Sequence, residues 1–82
     1  MKPINELNIK SRHFQYDIFM VSILECNNDY DVWVTIEKYD TMFFLFGIDK
    51  KDIDDYCYLL DMVREEIDNE KGFLYNTITG GF

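Results

Sequence analysis

The single histidine of this 82-residue chain, His13, and its two cysteines, Cys26 and Cys57, are the side chains best suited to catalysis or metal binding. Their surroundings give them little to work with. His13 lies between Arg12 and Phe14 where a strand begins. A histidine metal site or a catalytic triad would have to be built around it alone, so the simpler reading is a histidine at a strand edge. Neither cysteine has a nearby sequence signature of activation. Gly47, Gly72, Gly80 and Gly81 form no phosphate-cradling loop. The acidic runs Asn27 to Asp31 and Asp49 to Asp55 lack the central glycine and the twelfth-position bidentate glutamate of a calcium loop. The pattern therefore assigns no catalytic residue, no metal and no cofactor, and the chain reads as a non-enzyme.

The distribution of carboxylates is more informative. Eight acids lie between Asp52 and Glu70 against one base, Arg64. With Ile53 at the centre of a buried helical stripe, steps of about 100° per residue carry Asp54, Asp55, Tyr58, Asp61, Met62, Glu65 and Glu66 to the side and outer faces. Asp61 with Glu65, and Glu66 with Glu70, are like charges four residues apart, a mildly destabilising spacing. Glu65, Glu66, Asp68 and Glu70 also crowd the later turns, where the helix dipole favours cations. Local rules broken without compensation are where function is expected. Tyr58 and Met62 are neighbours within this field and resemble a small contact site with a charged rim. These seven residues form the candidate partner-binding set.

Composition narrows the partner. Sixteen acids against eight bases give a net charge of −8 and a pI near 4.3, so phosphate backbones and anionic membranes are repelled. A protein with a basic surface or groove is the natural complement, and no direct nucleic-acid or membrane contact is expected. With 48% hydrophobic and 17% aromatic residues, the chain has enough apolar surface to fold as one domain over residues 1–82. The opening Met-Lys-Pro-Ile-Asn-Glu-Leu-Asn has no apolar core of a secretory leader, and the longest apolar stretches are too short to span a bilayer. A cytoplasmic location with reduced thiols is expected. The absence of Ala, with Ile, Asn, Lys, Phe and Tyr abundant, points to an AT-rich gene such as those of low-GC bacteria and their phages.

The elements that must position these groups follow from periodicity. Ile4, Leu7 and Ile9 suggest a short turn or edge strand, and Phe14 to Cys26 reads as a strand. Asn27-Asn28-Asp29 makes a turn into Tyr30 to Glu37, which alternates Val32, Val34 and Ile36 against Asp31, Trp33, Thr35 and Glu37. Lys38 to Thr41 turns again into a third strand from Met42 to Ile48. Asp49 is the expected N-cap, with Asp52 completing a variant capping box. Ile53, Tyr56, Cys57, Leu60, Val63 and Ile67 form the apolar stripe, and Gly72 the stop. Phe73 to Thr79 is expected to return as a last strand, followed by a flexible tail over residues 80–82. The result is an α+β fold in β-β-β-α-β order. It is an antiparallel sheet of three to four strands with one long amphipathic acidic helix on one face.

That layout leaves apolar surface to account for. The first strand is apolar on both sides, with Ile18, Met20 and Leu24 opposed to Phe19, Val21 and Ile23. The third opposes Met42, Phe44 and Phe46 to Phe43 and Leu45. Strands buried on both faces read as such continuous runs. Either terminal segments fold over the second face, or it is a dimer or partner face, with Phe19, Val21, Ile23 and Trp33 as the candidates. In size and charge the chain resembles small acidic phage products that block restriction or CRISPR enzymes by imitating nucleic acid. It is accordingly read as an inhibitor or modulator, of an anti-defence kind, that presents carboxylates to a basic nucleic-acid-binding groove. The alternative is a structural or regulatory homodimer through an apolar sheet face, its acidity serving solubility.

Overall fold

A break at Asp17-Ile18, within the run from Phe14 to Cys26, determines the topology. In the computed structural model, which describes residues 10–80, Asp17 takes φ 57° and the chain doubles back between Tyr16 and Phe19. Asp tolerates this left-handed geometry better than most residues. The run thereby becomes two strands, β1 (Lys10–Tyr16) and β2 (Phe19–Glu25). With β3 (Asp29–Ile36) and β4 (Phe43–Asp49) they form an antiparallel meander in the order β1-β2-β3-β4. The expected α+β class, antiparallel sheet and single covering helix all stand; the element order is β-β-β-β-α. Ile4, Leu7, Ile9 and the tail residues Gly81 and Phe82 lie outside the described residues.

Register sorts the side chains. Arg12, Ile23, Val32 and Phe46 form one cross-strand row, and Phe14, Val21, Val34 and Phe43 the next. These rows face the helix. Phe19, Val21 and Ile23, expected on a dimer or partner face with Trp33, are at most 1% exposed beneath the helix, while Trp33 lies on the opposite side of the sheet. The physical reason is that side-chain direction alternates along a strand. Val21 is the cross-strand partner of Val34, and Trp33 that of Ser22.

A β-bulge changes the phase of β4. Val32 pairs with Phe46 and Trp33 with Phe44, leaving Leu45 as the extra residue. Simple alternation groups Met42, Phe44 and Phe46. The bulge instead sends Phe46 to the core side and Phe44 to the far side against Trp33.

The helix begins later and ends later than expected. Asp49 makes no side-chain cap; Lys50–Asp52 form a 3₁₀ turn whose Lys50 N–H is bonded to the Asn28 carbonyl, 2.8 Å away. Helix α1 (Tyr56–Thr79) starts after Asp55, whose carboxylate accepts the Cys57 N–H at 2.9 Å. It then runs through Gly72 for 24 residues. Leu59, Val63, Ile67, Leu74 and Ile78 are all buried and continue one stripe, so the helix proceeds despite the ~1 kcal/mol that an interior glycine costs. No strand forms at Phe73 to Thr79. Gly80, at φ 68°, takes the left-handed capping position and donates its N–H to the Asn76 carbonyl. None of the described helices is long and apolar enough to cross a membrane.

Candidate functional site

The molecule is a slab of 41 × 33 × 17 Å with two broad surfaces, the outer side of α1 and the uncovered side of the sheet.

Two sets of contacts fix which side of α1 looks outward. On one flank the Tyr16 hydroxyl donates to both Asp68 carboxylate oxygens at 3.0 and 3.1 Å, and Lys71 pairs with Asp17. That flank faces β1. On the other, Phe73 meets the Phe43 ring edge-on at 5.7 Å, so this flank faces β4. At 100° per residue, Arg64 lies on the β1 flank with Lys71, Met62 lies beside Phe73 toward the β4 flank, and Tyr58, Asp61 and Glu65 lie on the outward ridge. Tyr58 is 56% exposed, Asp61 and Glu65 are exposed, and Met62 is half-buried. Lys71 is thus drawn to Asp17 on the β1 flank, Arg64 reaches Asp61 at the border of the ridge, and the other ridge residues are acids and neutral groups.

The expected partner-binding residues are therefore only partly brought together. Asp54 precedes the helix and is exposed, Asp55 is committed to the N-cap, and Asp61 is met by Arg64 at 3.1 Å. Glu66 and Met62 are half-buried toward the β4 flank, leaving Tyr58, Asp61 and Glu65 as the outward group, with Met62 at its border.

The uncovered side of the sheet is the surface that the strand pattern did not resolve. Among the described residues no helix or second sheet lies over it. Its side chains are Ser11, His13 and Gln15 from β1; Met20, Ser22 and Leu24 from β2; Asp29, Asp31, Trp33 and Thr35 from β3; and Phe44, Gly47 and Asp49 from β4. Trp33 meets Phe44 edge-on at 5.1 Å, and His13 Nδ1 lies 2.9 Å from the Ser22 hydroxyl. His13, Ser22, Leu24, Trp33 and Met42 line a shallow hollow of about 260 Å³. Phe44 and Met42 are 44% and 52% exposed.

Beyond Leu24 the same face turns acidic. Asp31 is the cross-strand partner of Leu24, and Asp29 that of Asp49. Together with Gly47, Ile48 and Asp52 these acids line a second depression of about 340 Å³. The hydrogen bond that protonated Asp29 donates to Asp49, with some desolvation and the charges of Asp49 and Asp31, raises the Asp29 pKa above the usual aspartate value. Among the described residues no three His, Cys, Asp or Glu side chains converge where a metal ion would bind.

Bases on the helix side of the sheet are engaged. Lys50 holds Glu25 at 2.8 Å and lowers its pKa, and the Arg12 guanidinium lies 4.5 Å from the centre of the Tyr56 ring. No catalytic constellation is assembled among the described residues; His13 touches only the Ser22 hydroxyl through its ring nitrogens.

Comparison with known proteins gives no lead: no family model, no curated protein and no solved structure matches the chain.

Proposed function

We propose that this protein is a small acidic binding module of the cytoplasm. On this reading it presents the carboxylates of α1 to the basic, nucleic-acid-binding groove of a partner protein and so inhibits or modulates that partner. An anti-defence role for a phage or other mobile element fits its size, charge and AT-rich composition. The observation that carries the reading is the segregation of charge on α1. Lys71 is drawn to Asp17 on the β1 flank and Arg64 to Asp61, while Tyr58 and Glu65 face outward with no base paired to Glu65 among the described residues. Because α1 runs on to Thr79, Glu65 and Glu66 lie in mid-helix, away from the dipole's ends, and the cost they bring to the helix is the like-charge spacing of Asp61 with Glu65 and of Glu66 with Glu70.

The test is the double change Glu65→Lys, Glu66→Lys. It relieves the Asp61–Glu65 and Glu66–Glu70 repulsions, so the melting temperature should stay level or rise slightly. Affinity for a nucleic-acid-binding partner captured with the wild-type protein should fall by about 1–3 kcal/mol, as when a charged interface is reversed. Wild-type protein should displace nucleic acid from that partner, less well as salt rises. A lysine variant that displaces nucleic acid as well as wild type does would show that the helix ridge is not the contact.

A further inference from the structure

The uncovered side of the sheet does not look like a merely solvated face. An antiparallel sheet with one wet face alternates apolar with polar residues, yet Met20, Leu24, Trp33 and Phe44 all point away from the helix. Charge on this face is one-sided. By register Lys10 and Arg12 project toward the helix, and the exposed face has Asp29, Asp31 and Asp49 but no lysine or arginine from any strand. Its apolar and acidic halves adjoin. Leu24, in the hollow, is paired with Asp31, and Gly47 lies between the halves. A Cβ at Gly47 would come within 3.0 Å of Asp31 Oδ1 and 3.3 Å of the Phe44 ring, so the bare backbone there lets carboxylate and ring close over the same spot.

We propose that this face, from Met42, Phe44 and Trp33 to Asp31 and Asp49, docks a protein segment that carries apolar side chains next to arginine or lysine. The hollow at Trp33 takes the apolar side chain, and the carboxylates a few residues away take the cation. The proposal rests on the reading that the partner is a basic protein, and it adds a contact surface on the side of the slab opposite α1. A second copy of this chain is the poorer occupant. Two such faces opposed would bring Asp29, Asp31 and Asp49 against a surface to which no described strand contributes a base. The Asp29–Asp49 contact, with its raised Asp29 pKa, is the kind of crowding that an incoming cation relieves.

Trp33 is the chain's only tryptophan, so its emission reports on this face in the intact protein. The probe is a synthetic peptide alternating arginine and leucine, with a glutamate–leucine peptide as control. The arginine peptide should shift the Trp33 emission and the control should not. Asp31→Asn with Asp49→Asn should weaken binding about tenfold, and Phe44→Ser by a similar factor, with the fold checked by circular dichroism. Glu65→Gln with Glu66→Gln removes the same number of charges from the helix and should leave the affinity within about twofold. Equal losses from the two charge-matched pairs would mean that overall acidity attracts the peptide, and would overturn the proposal. So would an unresponsive Trp33, or a wild-type dimer in sedimentation that Phe44→Ser dissolves, which would give the face to a second copy. The readings separate cleanly. If only the helix pair matters to a natural partner and to the peptide, this inference fails and the helix ridge stands; if only the sheet pair matters, the reverse holds.

Discussion

The two sides of the sheet are made from the same strands and obey different rules. Toward α1, β2 and β3 contribute Phe19, Val21, Ile23, Val32, Val34 and Ile36, all buried, and nearby charges are occupied, Lys50 by Glu25 and Arg12 by the Tyr56 ring. Away from α1, the same strands contribute Met20, Ser22, Leu24, Asp31, Trp33 and Thr35, of which only Ser22 is buried. The covered side is what a small chain needs in order to fold. The uncovered side holds an aromatic pair and a set of carboxylates that folding alone does not require. Apolar content by itself therefore does not mark the core; what distinguishes it is apolar content together with neutralised charge.

The largest expected effect sharpens that contrast. Phe19→Ala removes a fully buried ring and should lower stability by about 3–5 kcal/mol, enough to unfold much of so small a protein. Phe44→Ala removes a ring that is 44% exposed and partnered mainly by Trp33, and should cost about 1 kcal/mol or less. Urea denaturation of the two variants measures the difference. Similar losses would mean that the uncovered side is a second core and not a contact surface.

Much of this was legible in the sequence, and the failures have identifiable causes. The alternation of β3 and the helical spacing of Val63 and Ile67 are strong periodic signals; β3 formed where it pointed, while the helix formed around Val63 and Ile67 with both ends displaced, from Asp49 to an Asp55 cap and from Gly72 to Thr79. The turn at Asp17-Ile18 was hidden because it has no glycine or asparagine and is flanked by aromatic and β-branched residues. β1 was hidden because Lys10, Ser11, Arg12 and His13, on an edge strand, are exposed and show no apolar period. The bulge at Leu45 cannot be read from alternation at all, since it is the point where alternation fails. Of the seven proposed residues, Tyr58, Asp61 and Glu65 share an outward ridge, with Met62 at its border. Trp33 was recognised as lying on the polar side of β3, but its neighbours were misassigned because the strand pairing that supplies Leu24 and Phe44 was not visible.

A smaller effect checks the length of the helix, on which the position of the β4 flank depends. Gly72 is exposed within α1, and a Cβ there would meet nothing within 4 Å. Gly72→Ala should therefore stabilise the protein by about 0.5–1 kcal/mol, by raising helix propensity and narrowing the unfolded ensemble. A loss of stability from this change would mean that the helix breaks at Gly72 and that Leu74 and Ile78 are held in some other way.

The smallest expected effect concerns the carboxylate pair on the uncovered side. Asp29 has a folded pKa above its ordinary value, chiefly through its hydrogen bond with Asp49. A group raised in this way binds its proton more tightly in the folded protein, so its favourable contribution is complete below the unfolded pKa and is lost as pH rises through the folded value. Once ionised, Asp29 is repelled by the charges of Asp49 and Asp31. Asp49→Asn keeps a hydrogen-bonding side chain beside Asp29 and removes the repulsion from Asp49, so the variant should melt slightly above wild type at neutral pH. That advantage should shrink as pH falls through the Asp29 titration and vanish below the ordinary aspartate range. Glu25 provides the internal control, because Lys50 lowers its pKa and its contribution is lost only as pH falls through that lowered value. The loss at Glu25 is common to both proteins and cancels in their difference. Thermal melts of the two proteins over the acid range therefore isolate the Asp29–Asp49 contact. A difference that stayed constant with pH would show that the two carboxylates do not sense each other, and would remove the crowding that an incoming cation is proposed to relieve.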